Sequence, residues 1–190
     1  MSQTTVNAGG MSIGVPGQIV DSGPHDIVSG FNDASAQMPF GYGLRDSTAA
    51  KLYLLPTGFS GVHPIVGINV HSLDHVKAGA ADAAGNFAGD LGASGLLENA
   101  QLQVGRKGRY LVPVEAAPTV GDGAWCRGVP TGSLTAGSWR GAARGAAGPL
   151  GASYHVDCSK QAVFRSGSFT AADGSTLVAI LEVDFTNGPY

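Results

Sequence analysis

The sequence predicts an all-β protein: a compact β-barrel or jelly-roll-like sandwich with an extended N-terminal arm and Gly/Ala-rich loops. Three observations lead there. Thirty glycines and ten prolines among 190 residues favour many turns and short strands over long helices. Hydrophobic residues make up 43% of the chain and gather in short runs rich in β-branched types. Several of these runs alternate apolar with polar residues, the period of a half-buried strand. The length suits one compact unit with an appendage. The expected division is an extended arm over 1–39 and a single β domain over 40–190, with loop insertions near 77–95 and 131–153.

The arm comes first. MSQTTVNAGGMSIGVPGQIVDSGPHD is rich in Gly, Ser, Asn and Pro. Pro16, Pro24 and Pro39 each remove a backbone donor and discourage helix. Ile13, Val15, Ile19 and Val20 are sparse apolar anchors for another surface. A short helical turn is allowed at Asp26–Phe31, weakened by Gly30.

From Phe40 onward strands dominate. FGYGLR reads as the first, DSTAA as a break, KLYLLP as the second, and VHPIVGINVHS as a third rich in β-branched residues. Asn69 and His71 are expected on its outward face. Residues 77–95, KAGAADAAGNFAGDLGASG, read as a long loop. AQLQVG and RYLVPVEA then suggest a hairpin closed by a tight RKG turn, with Tyr110, Val112 and Val114 on one face. A Gly-Asp-Gly turn precedes another strand near Trp125. Residues 131–153 are low in complexity and read as a surface loop. AVFRSGSF, an Ala-Asp-Gly turn and STLVAILEVDF close the chain. The last run is apolar on both faces at its centre, as in a strand inside a barrel or sandwich.

Charge narrows the function. Asp, Glu, Lys and Arg together are only 13% of the chain, against ~25% in ordinary soluble domains. A surface so poor in charge suits a protein covered by partners. The net charge of −3 argues against nucleic acid as a direct partner. No apolar run approaches the ~20 residues that cross a bilayer, so no membrane is expected. The first ten residues carry no basic export signal. Two cysteines, Cys126 and Cys158, make no disulfide framework and are expected reduced.

Each reactive constellation has a plainer reading. HPIVGINVHSLDH (63–75) holds three of the five histidines. At a strand rise of ~3.3 Å, His63 and His71 stand about 26 Å apart, too far for one ion. His71 and His75 have HxxxH spacing, but Ser72 stands where a zinc protease needs Glu. Ser72, Asp74 and the histidines are local neighbours, unlike a catalytic triad, and no G-x-S-x-G occurs. Gly41 and Gly43 begin a G-x-G, but Asp46 breaks the dinucleotide pattern. Glu98, Glu115 and Glu182 are the only glutamates, and nothing pairs two carboxylates at a glycosidase separation. No catalytic, cofactor or metal residue is therefore assigned. Arg106, Lys107 and Arg109 form the densest basic cluster, a solvated turn or a contact to an acidic partner surface. Arg140 and Arg144 lie four apart in the Gly/Ala loop without aromatic interleaving.

The order of segments resembles one known family. PGQIVDSGPHDIVSGFN (16–32) and MPFGYGLR (38–45) are similar to the arm and first strand of the capsid cement, or decoration, proteins of tailed bacteriophages. VGINVHS (66–72), AQLQVGRKGRYLVPVE (100–115), VGDGAWCR (120–127) and SGSFTAADGSTLVAILEVDF (166–185) follow in the family's order. The resemblance implies a non-enzymatic virion protein without cofactor, made in the host cytoplasm and placed on the outside of the capsid. It would bind the major capsid protein of an HK97-like shell, bridge neighbouring subunits and stabilise the head against internal DNA pressure. It would self-associate as a homodimer or homotrimer. The candidate contact residues are Ile13, Val15, Ile19, Val20, Ile27, Val28, Phe31, Arg106, Lys107 and Arg109.

Two other readings stand beside it. Trp125, Trp139 and Tyr154 suggest a carbohydrate-binding β-sandwich displayed on a virion. His63, His71, His75 and His155 suggest a small cupin-like metal enzyme, testable by elemental analysis.

Overall fold

The structure, a computed structural model, describes residues 14–20, 23–34, 37–47, 51–57, 64–71, 91–92, 95–96, 100–143, 154–171 and 174–186. Ile13, His63, Ser72, Asp74, His75, Glu98 and Arg144, with most of the expected loop 77–95, lie outside these residues. The described chain is all-β, as expected, with no α-helix among its described residues.

Strands follow one another in chain order. The first four are β1 (Asp26–Asn32), β2 (Gly43–Asp46), β3 (Leu52–Leu54) and β4 (Ile65–Asn69). A two-stranded ribbon comes next, β5 (Leu91–Gly92) with β6 (Gly95–Leu96), before the long β7 (Gln101–Pro113). The later strands are β8 (Gly123–Arg127), β9 (Trp139–Ala142), β10 (His155–Asp157), β11 (Ala162–Phe164), β12 (Phe169–Thr170) and β13 (Leu177–Asp184). The expected FGYGLR, KLYLLP and VHPIVGINVHS strands are β2, β3 and β4, and the closing strand is β13.

A barrel closes because β1 pairs at both its edges. The circuit runs β1–β3–β2–β4–β7 and returns to β1, with β1–β3 parallel and the other pairings antiparallel. Closure removes the open sheet edge that would otherwise invite pairing with another chain. Met38, Leu44, Tyr53, Ala100, Leu102 and Val104 form its core.

A second group of strands builds on the other half of β7. β13 pairs with β7 over seven positions, from Val178↔Pro113 to Asp184↔Lys107. β11 joins β13, β8 joins β11, and β9 and β10 flank β8. A parallel bridge from Val114 to Trp139 brings β9 back to the end of β7, so this group also encircles a core. That core is the larger one, with Tyr110, Val112, Trp139, Phe164, Leu181 and Phe185 buried in it. Tyr110 is fully buried, and its hydroxyl donates to the Lys107 carbonyl at 2.7 Å, which satisfies the phenol inside the apolar packing.

Three local expectations are corrected. The RKG triplet is not a hairpin turn: β7 runs through it without a break. Its two halves pair with different neighbours, β1 and β4 up to Lys107 and β13 from Lys107 onward, so they are not free to pair with each other. The triplet instead bends the strand. Gly108 sits at φ 130°, and the β1 register slips from Asp26↔Lys107 to Ile27↔Gly105, so Arg106 is the extra residue of a bulge. A side chain at Gly108 would place its Cβ 2.3 Å from His25 Cδ2, and one at Gly105 2.4 Å from Tyr110 Cζ. Glycine at both positions is what lets the strand coil so tightly.

The second correction concerns Asp26–Phe31, which is strand and not a helical turn. Ile27 and Val28 are β-branched, and the segment hydrogen-bonds along β7 from Asp26 to Phe31. The third concerns Asn69, which is fully buried and not outward-facing, because β4 is covered on both faces. Its Nδ2 donates to the Met38 and Pro39 carbonyls at 3.1 and 3.0 Å. Inside the expected loop 131–153 the structure places β9.

Candidate functional site

The N-terminal segment runs along the chain's own sheet. Ile19 bridges to Tyr110, and the Gly17 and Val20 amides donate to the Leu111 and Arg109 carbonyls at 2.7 and 3.0 Å. Of the expected contact residues here, Ile19 packs on the larger core and Val28 on the first barrel's core. Val15 is half-buried. Three others point outward: Val20 is 39% exposed, Ile27 37% and Phe31 47%. Ile27 and Phe31 share the outer face of β1 because side chains alternate along a strand. Phe31 stands opposite Leu52 of the parallel neighbour β3, so apolar surface continues across two strands.

The basic cluster is laid out on the sheet. Lys107 meets Asp184 at 2.9 Å, and Arg109 meets Glu182 at 2.6 Å, each across the β7–β13 ladder. Arg165 reaches the same Glu182 at 2.9 Å, and Arg106 approaches Asp26 at 3.9 Å. Arg165, then Arg109, hydrogen-bond the Glu182 carboxylate and outweigh burial, holding its pKa at about 2. The Thr186 hydroxyl and Lys107 do the same for Asp184, also at about 2. These half-exposed pairs order the face more than they stabilise it.

A second charged group is interior, and sequence reasoning missed it. Glu115 follows β7, Arg127 ends β8 and His155 opens β10. Their side chains are 3%, 5% and 1% exposed. Arg127 donates Nη2 to Glu115 Oε2 at 2.8 Å and Nε to Oε1. His155 Nε2 lies 3.2 Å from Glu115 Oε2, and Ser138 Oγ lies 2.7 Å from Oε1. Burial pushes the Glu115 pKa up, but the hydrogen bonds from Arg127, His155 and Ser138 win and bring it to about 2. Arg127 Nη1 also donates to the Val129 carbonyl and Thr131 Oγ1, both at 3.2 Å. The group therefore ties three strands to the loop 128–138.

The other candidates are placed as follows. Trp139 is fully buried, and its indole donates to the Gly41 carbonyl at 3.0 Å, so it presents no ring face to a sugar. Trp125 is half-buried and Tyr154 exposed. His71 packs edge-on against Phe40 with ring centroids 4.7 Å apart, and His155 is committed to Glu115. Among the described residues no cluster of three or more His, Cys, Asp or Glu could hold a metal ion. Cys126 and Cys158 are free thiols, both buried.

The fold and these groups define a β-barrel scaffold with its interior charges tied to its own frame and with Ile27 and Phe31 exposed on β1. The chain belongs to the phage structural cement proteins: the family model described as "Structural cement protein (E217 gp24/Pam3 gp6)" matches residues 2–184. A chain of the solved structure "The capsid of Myoviridae Phage XM1" shares the fold with a TM-score of 0.60. That similarity covers 95% of this chain and 98% of the other at 17% identity. No curated protein matches this chain by sequence.

Proposed function

We propose that this protein binds the outside of an HK97-like capsid shell, bridges neighbouring major capsid subunits and stabilises the head against the pressure of packaged DNA. Family membership supports a structural part in a phage capsid, and the solved capsid chain of the same fold is consistent with it. The observation that carries the bridging role is the exposure of Ile27 and Phe31 on one face of β1, with Val20 exposed on the segment before it. Apolar surface held on a rigid barrel wall buries against a partner without an ordering cost in its own strands. Val15, half-buried on the segment before β1, supplies a further anchor. Many weak contacts repeated around a shell add through avidity, and a homodimer or homotrimer multiplies them.

The test uses the double variant Ile27→Lys/Phe31→Glu. Both side chains are partly exposed, and melting curves check that the variant is folded. Purified chains are mixed with shells lacking the protein, and bound chain is measured by co-sedimentation and located by cryo-EM. The variant is expected to lose most of its occupancy. Occupancy equal to the parent's removes the β1 face from the reading, and density inside the shell removes the outer location.

A further inference from the structure

Sequence reasoning pointed to Arg106, Lys107 and Arg109, but the structure gathers a different set. Between β7, β13 and β11 lies an open groove of about 540 Å³, lined by Lys107, Arg109, Lys160, Arg165, Glu182 and Asp184. That volume is within the range of binding pockets. Four cations face two carboxylates, so the groove is about two charges positive in a chain of net charge −3. The two carboxylates lie in register with two of the cations, Glu182 opposite Arg109 and Asp184 opposite Lys107. Lys160 comes from the turn before β11, and Arg165 from the residue after it. Both add charge beyond that ladder.

We propose that this groove docks an acidic peptide segment of the shell partner, seating its carboxylates against Lys160 and Arg165. The assignment rests on the capsid-binding reading above and adds the chemistry of one contact. Arg165 gives Nε and Nη2 to Glu182, yet its side chain stays 46% exposed. A guanidinium carries five N–H donors in a planar fork, so one held by Glu182 still has donors for a second carboxylate. Glu182 acts as the anvil: it fixes the Arg165 fork, which lowers the ordering cost when a partner arrives. The positive excess is small and local. It matches one or two Asp or Glu side chains on a peptide. A nucleic-acid backbone needs a continuous cationic stripe and would meet Glu182 and Asp184 in the middle of this one.

The experiment uses the full chain and three labelled probes: a capped aspartate-rich peptide, the same peptide with asparagine, and single-stranded DNA of equal charge. Fluorescence anisotropy measures binding to the parent, to Lys160→Glu and to Arg165→Gln. Melting curves check that each variant is folded. The parent is expected to bind the aspartate peptide and not the asparagine one. Lys160→Glu is expected to weaken binding ~tenfold, and raising salt from about 50 to about 300 mM to weaken it similarly. No binding of the aspartate peptide, equal binding by both folded variants, or tighter binding of DNA overturns the proposal. Co-sedimentation with shells separates this from the broader reading. If Lys160→Glu loses the peptide but fills shells like the parent, the groove does not serve the shell and the proposal fails, while the capsid-binding reading stands. If the parent itself does not sediment with shells, the capsid-binding reading fails and takes the shell partner with it.

Discussion

Arg127 grips Glu115 from within the protein, its guanidinium fork set on both carboxylate oxygens and the two side chains only 5% and 3% exposed. A buried pair of this kind offers little net stability against an apolar replacement, but breaking it is costly. Glu115→Ala is expected to lose about 3–5 kcal/mol in urea unfolding, because it strands a buried guanidinium. The double variant Glu115→Leu/Arg127→Met is expected to recover most of that loss. A single variant as stable as the parent would show that the guanidinium finds water or another partner.

Acid should act through the same carboxylate. The folded-state pKa of Glu115 is about 2, below its ordinary 4.5. Above pH 4.5 both folded and unfolded chains are ionised there and the stabilisation is complete. As pH falls from 4.5 towards 2 the unfolded chain takes up the proton first, and the stabilisation is lost. Glu182 and Asp184, also held at about 2, lose theirs in the same direction. Unfolding free energies at about pH 6 and about pH 3 are expected to differ, and to differ less in Glu115→Gln. An unchanged difference in that variant would remove Glu115 from the acid response.

The bend in β7 makes its glycines sensitive. Gly108→Ala forces φ 130° on a residue with a side chain and drives that side chain into His25. Gly105→Ala meets the Tyr110 ring. Each is expected to cost roughly 2–3 kcal/mol, read as a lowered melting temperature. A neutral Gly105→Ala would mean that Tyr110 moves aside.

Asn69→Leu preserves the size of the side chain and removes its two bonds to the Met38 and Pro39 carbonyls. Both carbonyls belong to the segment entering β2. A loss of about 1–3 kcal/mol is expected, with faster hydrogen exchange through residues 38–46. Protection unchanged there would sink this role.

Cys126 and Cys158 should be silent in the folded chain. Burial pushes both thiols well above their ordinary pKa, so little thiolate forms. A thiol reagent such as DTNB is expected to label neither in native buffer and both in concentrated urea. Fast native labelling would show that the core opens.

Much of this architecture could be read from residues alone, and the failures share a cause. β4 and β13 are visible as apolar β-branched runs, and the order of segments is sufficient to point to the family. The RKG triplet reads as a turn because glycine permits both a reversal and a bend, and the choice belongs to β1 and β13, distant in sequence. The interior charges were hidden for a similar reason. In the sequence Glu115 and His155 read only as candidate catalytic or metal-binding groups, and Arg127 belongs to no motif. Their meeting joins positions 12 and 40 residues apart. One local signal was available: an arginine closing the strongly apolar run GAWCR, in a chain with so few charges. Lys160 and Arg165 gave no signal until β11 was seen to border β13.

Because β7 serves both circuits, its ladders with β1 and β13 follow one another along a single covalent spar and overlap at Lys107. A tug entering through one ladder and leaving through the other travels lengthwise down that backbone. It strains rows of hydrogen bonds in shear, all together, instead of unzipping them singly. Stiffness under tension is thus a property of the wiring itself, whatever the molecule is fastened to.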